Sequence, residues 1–187
     1  MKMSKIVVFS VVMMACNTVW AVQPAMNNYQ TLAKLQGEWK LAPASKQEGG
    51  ATKKGPAAKL IGTDKTAISF KVIGKGSTVQ ENLLPGTGKE MATMYHCDNF
   101  KNCSQVKATH YCAKQNQPEL ILDASSTSNN VISMVCDSSA SLCNSNEVHA
   151  HKITHEVGDD NNHLKTTYTI FKDGKIEKNS IYHFVRK

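Results

Sequence analysis

The chain has 187 residues, with 22 lysine and arginine side chains against 15 aspartates and glutamates, for a formal charge of +7. The surplus is lysine scattered through turns and strands, and Arg186 is the single arginine. With no arginine cluster or basic stripe, the charge does not describe a nucleic-acid surface; it suits solubility and the protection of strand edges.

Lys2 and Lys5 precede the apolar run Ile6 to Ala15, and Val19-Trp20-Ala21 offers a small-residue cleavage site. This pattern predicts a secretory signal peptide over residues 1–21, a mature start at Val22 and a periplasmic or secreted protein. A lipoprotein anchored through Cys16 is the alternative reading. No later run is apolar for long enough to span a bilayer as a helix. About 166 mature residues, 22–187, fit one domain.

Between Asn27 and Gln36 the spacing of Tyr29, Leu32 and Leu35 predicts a short helix able to plug one end of a barrel. Gly37 to Leu41 then reads as the first strand. Residues Pro43 to Lys59 are rich in Gly, Pro and Lys and read as a mobile loop without core. Nine further strands follow at short intervals: Thr66–Ile73, Ser77–Leu84, Glu90–Cys97, Ser104–Cys112, Glu119–Ala124, Val131–Cys136, Glu147–Val157, His163–Phe171 and Lys175–Arg186. Gly74-Lys75-Gly76, Pro85-Gly86 and Asp173-Gly174 are turn signals between them. The fold class is therefore all-β, an antiparallel up-and-down barrel of about ten strands with a short N-terminal helix, or else a sandwich. In a closed barrel the first and last strands are neighbours, and Arg186 lies over the Trp39 indole as a cation–π pair.

Alternation assigns faces. Ala92, Met94 and His96 are the more apolar set of their strand; Val106, Ala108, His110 and Cys112 form the matching set of the next. His149, His151, Ile153 and His155 are placed inward, and Leu164, Thr166, Tyr168 and Ile170 share one face of the following strand. Tyr182, Phe184 and Arg186 share one face of the last strand.

Cys97 and Cys103 flank one turn and Cys136 and Cys143 another, so each pair is placed to staple a loop in an oxidising compartment, with Cys112 left over. The absence of any C-x-x-C spacing argues against a cysteine-based metal cluster.

The opening Gly37-x-Trp39 and closing Phe184-Val185-Arg186 resemble the lipocalin and fatty-acid-binding superfamily of barrels. Tyr95-His96, Thr109-His110-Tyr111-Cys112, Asn116-Gln117-Pro118 and His149-Ala150-His151 resemble more closely a group of exported bacterial proteins with lipocalin-like or nitrobindin-like barrels of the calycin superfamily. The resemblance spans Leu32 to Arg186, with extra residues between His96 and Thr109. It implies a barrel with an interior cavity, and the nitrobindin likeness raises haem as a cofactor.

On these grounds His96, His110, Tyr111, His149, His151 and Tyr168 are candidate cavity residues, joined by Tyr95 and Tyr182. They would give an apolar cavity a few polar handles for a small ligand. His149 and His151, on one strand face, are candidate ligands to a metal ion, with His96 or His110 as a third. The expected function is binding of a small apolar or amphipathic molecule. A metal or haem barrel using His149 and His151 is the first alternative, and a partner-binding domain with a filled interior the second. No catalytic residue is assigned: His110 and Cys112 share a face, but a buried cysteine is more often a packing residue than a nucleophile.

Overall fold

The computed structural model describes residues 24–48 and 52–187. The leader expected over 1–21, with Cys16, lies outside the described residues. Helix α1 (Pro24–Lys34) is followed by ten strands: β1 (Gly37–Leu41), β2 (Ile68–Ile73), β3 (Thr78–Leu83), β4 (Met91–Cys97), β5 (Val106–Tyr111), β6 (Glu119–Leu122), β7 (Val131–Cys136), β8 (His149–Val157), β9 (His163–Lys172) and β10 (Lys175–Arg186). Every strand pairs antiparallel with its sequence neighbours, and β1 closes on β10 through Trp39–Arg186, Lys40–Val185 and Leu41–Phe184. Closure leaves no free sheet edge to pair with another chain. No helix among the described residues is long and apolar enough to cross a membrane.

The seam explains the Gly-x-Trp opening. Trp39 is fully buried, its indole N–H donates to Leu35 O (3.0 Å), and the Arg186 guanidinium carbon lies 4.1 Å from its ring centroid. The same guanidinium donates to Gln36 O (2.9 Å), to Lys34 O (3.4 Å) and to Asn161 O (3.1 Å). A cation is thus set against the unsatisfied carbonyls that end α1. Gly37 has φ +132°, and a Cβ there would stand 3.0 Å from Arg186 Nη1. Only glycine accepts that backbone angle easily and leaves room for the arginine.

Helix α1 covers one end of the barrel. It buries Tyr29 and Leu32, with Leu35 just past its end; Tyr29 donates to Gly76 O (2.6 Å) and meets Phe100 edge-on. The opposite end is framed by the β1–β2, β3–β4, β5–β6, β7–β8 and β9–β10 connections. In the first of these, residues Ala44–Lys46 and Ala57–Leu60 form 3-10 turns, and Ala57 and Leu60 are buried. The loop expected to contribute no core therefore does contribute. Gln47 also straps its beginning to the barrel wall by hydrogen bonds to Ala42 O and His183 O.

Both disulfides form as the spacing suggested, Cys97–Cys103 and Cys136–Cys143, with Cys112 free. The residues inserted between His96 and Thr109 form a turn organised by Asp98, whose carboxylate accepts from the backbone of Asn99, Ser104 and Gln105.

Two face assignments need correction. In β4 it is Thr93, Tyr95 and Cys97 that are buried, and Ala92, Met94 and His96 that lie on the outer wall. The apolar count of the two sets is nearly equal, and the interior demand of Tyr95 and of the disulfide decides between them. In β8, Ile153 and His155 face inward as expected, but the ladder with β9 slips between Ala150 and Lys152. This β-bulge inserts one residue and reverses the alternation. Ala150 therefore joins Ile170 on the inner wall, while His149, itself buried, and the half-buried His151 sit at the rim beside Phe171.

Candidate functional site

The middle of the barrel is filled by a polar layer that no local motif announces. Its centre is Glu81 on β3, entirely buried. Tyr95 donates to Glu81 Oε2 (2.6 Å) and Tyr168 to Glu81 Oε1, while Thr93 points its hydroxyl at Oε1 from 3.5 Å. His155 Nε2 stands 2.9 Å from Tyr95 Oη and 3.3 Å from Glu81 Oε2, and its Nδ1 3.0 Å from Thr166 Oγ1. The one hydroxyl hydrogen of Tyr95 goes to Glu81, so His155 Nε2 carries a hydrogen that it donates to Tyr95.

Burial alone pushes the Glu81 carboxyl up. The hydrogen bond and charge of His155, with the Tyr168 and Tyr95 hydroxyls, outweigh it and hold the group below its ordinary value. Both tyrosines are pushed well above theirs, first by burial and then by the Glu81 charge. Glu81, the hub of this layer, was not among the expected site residues. The signal was available in β3, where Val79, Glu81 and Leu83 alternate with Thr78, Gln80 and Asn82 and put a carboxylate on the apolar face.

Above this layer, toward the open end, lies a pocket of about 50 Å³ walled by Met91, His110, Cys112, Ala150, Tyr168, Ile170, Ser180 and Tyr182. The His110 ring is anchored through Nδ1 to Thr93 Oγ1 (2.8 Å). If the Thr93 hydrogen serves Glu81, His110 Nδ1 donates to Thr93 and Nε2 is left as a bare acceptor. Burial lowers the His110 pKa, so the ring is held neutral. Neither His110 Nε2 nor the Tyr182 hydroxyl makes a hydrogen bond among the described residues, whose one fully buried unpaired side-chain polar atom is Asn116 Oδ1. Cys112 shares the pocket but makes no hydrogen bond to His110, and burial pushes its thiol up, away from the reactive thiolate.

Ser180 and Tyr182 also wall a cavity of about 410 Å³ at the barrel mouth, with Pro56, Ala57, Leu84, Lys54, Lys89 and Lys178. None of these three lysines forms an ion pair among the described residues. A larger hollow of about 610 Å³ lies on the outer wall between the 43–46 segment and β8–β10. Most of its charged groups are already paired, His183 and Lys165 with Glu48, Lys165 with Glu156 and His163 with Asp160, while Lys46 makes no ion pair among the described residues. The Glu48 pairs hold the segment to the wall.

Of the expected cavity residues, the structure brings together His110 and Tyr168, with Tyr95 beneath and Tyr182 above. The four others are elsewhere. Tyr111 is 49% exposed on the outer wall, opposite in parity to His110. His96 lies outside with Lys107, Thr109 and Glu119. His149 and His151 occupy the rim. No interior histidine joins them, because the bulge turns them away from His110 and β4 turns His96 outward. An interior pocket of about 50 Å³ is also far smaller than a porphyrin.

The rim pair is nonetheless closely built. His149 Nδ1–H donates to Glu147 O (2.7 Å), leaving His149 Nε2 3.1 Å from His151 Nδ1. The His151 ring stacks on Phe171 with centroids 3.7 Å apart and planes 7° from parallel. Asn116 braces the start of β8 by donating to Glu147 Oε1 and Val148 O. Nitrogen atoms of both histidines and Cys136 Sγ lie within 4.8 Å of one another.

No protein-family model matches the chain, and no curated protein is similar to it.

Proposed function

We propose that this barrel binds a small amphipathic anion at its open end. The observation that carries the reading is the wall of Ser180 and Tyr182 shared by the lysine-ringed mouth cavity and the inner pocket beneath it. A carboxylate or similar head group is drawn to Lys54, Lys89 and Lys178, while an apolar body covers Ala57, Leu84 and Tyr182. Burial of that body supplies affinity at ~25 cal/mol per Å² of apolar surface removed from water. The lysines supply steering that weakens with salt. His110 Nε2 and the Tyr182 hydroxyl are the handles that select a polar group reaching the inner pocket. The resemblance to exported lipocalin-like and nitrobindin-like barrels supports the same reading. The two disulfides fit an oxidising compartment, as a periplasmic or secreted protein would meet.

The test is titration with a fluorescent medium-chain fatty-acid analogue, with the matching alcohol as control, alongside native mass spectrometry of protein from its own host. Saturable one-to-one uptake of the carboxylate is expected, weakened by salt. A Lys54→Glu/Lys89→Glu/Lys178→Glu variant should bind about 10-fold more weakly, and Ser180→Trp, which fills the shared wall, should abolish uptake. Uptake unaffected by Ser180→Trp, or no saturable uptake together with no retained organic mass, would overturn the reading.

A further inference from the structure

The corner formed by the end of β7, the β7–β8 loop and the start of β8 gathers two sulfurs and two imidazoles at the barrel rim. His149 Nε2 and His151 Nδ1 are 3.1 Å apart. Two nitrogens held at ~2.05 Å on a tetrahedral ion stand about 3.3 Å apart, so the pair is already at the bite distance of one small metal. Each ring is fixed from behind: His149 by its bond to Glu147 O, His151 by the Phe171 face. The carbonyl bond makes Nε2 the unprotonated nitrogen of His149, the arrangement common to metal-ligating histidines. Cys136 Sγ lies within 4.8 Å of a ring nitrogen of each histidine, and Cys143 is its disulfide partner. A sulfur engaged in a disulfide has no thiolate to offer. Two freed thiolates with two imidazoles make the Cys₂His₂ set that suits tetrahedral zinc.

We propose that Cys136, Cys143, His149 and His151 form a zinc site that opens when the Cys136–Cys143 disulfide is reduced, so that disulfide and metal exclude one another. A dithiol reductant transfers two electrons and two protons to the disulfide, giving two cysteine thiols and becoming a disulfide itself. Zinc then displaces both thiol protons. Cys143 has to retreat by about 2 Å from its bonded position to reach the sulfur–sulfur spacing of a zinc tetrahedron. Its place in the loop after Asp137, in a 3-10 turn over Leu142–Asn144, gives it a segment that moves without breaking the β7–β8 ladder. The spacing is Cys-x₆-Cys-x₅-His-x-His, unlike the paired C-x-x-C of common zinc modules, and the β-bulge at the start of β8 is what sets both rings at the rim.

The test uses the full chain and cobalt(II) as probe, before and after reduction by a phosphine that is then removed without oxygen. Reduced protein should take up one cobalt with tetrahedral visible bands and sulfur-to-cobalt charge transfer, both erased by zinc. Oxidised protein should bind at least ~100-fold more weakly. Cys143→Ser frees Cys136 without reductant, so this variant should show a single-thiolate cobalt spectrum as purified. His149→Gln/His151→Gln keeps both sulfurs and the disulfide; folded by circular dichroism and then reduced, it should lose the tetrahedral bands. Reduced protein that takes up no cobalt, or cobalt binding unchanged in the double histidine variant, would overturn the proposal.

Discussion

Glu81 Oε2 lies 3.3 Å from His155 Nε2, and neither side chain is exposed to solvent. The carboxylate reaches this depth because Tyr95, Tyr168 and Thr93 direct hydroxyls at it and His155 approaches from β8. A buried acceptor so surrounded ties β3, β4, β8 and β9 together through the barrel axis. The layer also forms the floor beneath the mouth, since Tyr168 belongs both to it and to the inner pocket.

Removing one member of this layer strands the others. Glu81→Leu leaves two tyrosine hydroxyls buried without their acceptor and the His155 imidazole without its carboxylate neighbour, and should cost about 3–5 kcal/mol in urea unfolding. The double variant Glu81→Leu/His155→Leu should cost less than the sum of the two single changes, because the second removes a group that the first has orphaned. Strict additivity would show that the two residues do not act as a pair.

The Glu81 carboxyl is held below its ordinary value of 4.5 in the folded protein. A depressed folded value means that the unfolded chain binds the proton first as pH falls. The stabilisation is complete above the unfolded value and is lost as pH drops through the lower folded value. Unfolding free energy should therefore fall with acidification below about pH 4.5, and the Glu81→Gln variant should show a shallower decline over the same range. Urea midpoints at matched ionic strength measure both slopes.

The strands and the seam were legible because each depends on a local or singular signal. Strand-forming runs bounded by turn residues marked β1, β7 and β10 at their observed bounds, and Trp39 and Arg186 were each distinctive enough to suggest a meeting. The site was less legible, for physical reasons. Glu81 gains its role from partners on three other strands, and only its position between Val79 and Leu83 hinted at burial. His149 and His151 were assigned inward because alternation assumes an unbroken ladder, and a single inserted residue reverses it. Tyr111 and His110 are adjacent, so parity made them exclusive: one had to be outside.

At the seam, the pairing of Gly37 with Arg186 should be sensitive from both sides. Gly37→Ala places a Cβ 3.0 Å from the guanidinium at φ +132° and should cost about 1–3 kcal/mol. Arg186→Ala removes the stack on Trp39 and three carbonyl contacts, and should cost a similar amount. Arg186→Lys should rescue little, because an ammonium cannot cover the indole and reach Lys34 O, Gln36 O and Asn161 O together. Thermal unfolding followed by Trp39 fluorescence reads all three variants; full recovery with lysine would show that charge alone matters there.

His110 gives the mouth its own acid response. Burial lowers its pKa from the ordinary 6.5, so the unfolded chain takes up a proton that the folded chain refuses. Stability is fully present above the unfolded value and falls as pH drops from there toward the lower folded value. As pH falls below about 6.5 the protein should lose stability until the lower folded value is passed, and His110→Asn should flatten this part of the profile. The variant also removes the Nε2 acceptor from the inner pocket, so comparison should be made on slopes rather than on absolute stability. A slope unchanged by His110→Asn would mean that another group carries the titration, and that His110 is not kept neutral beneath the mouth.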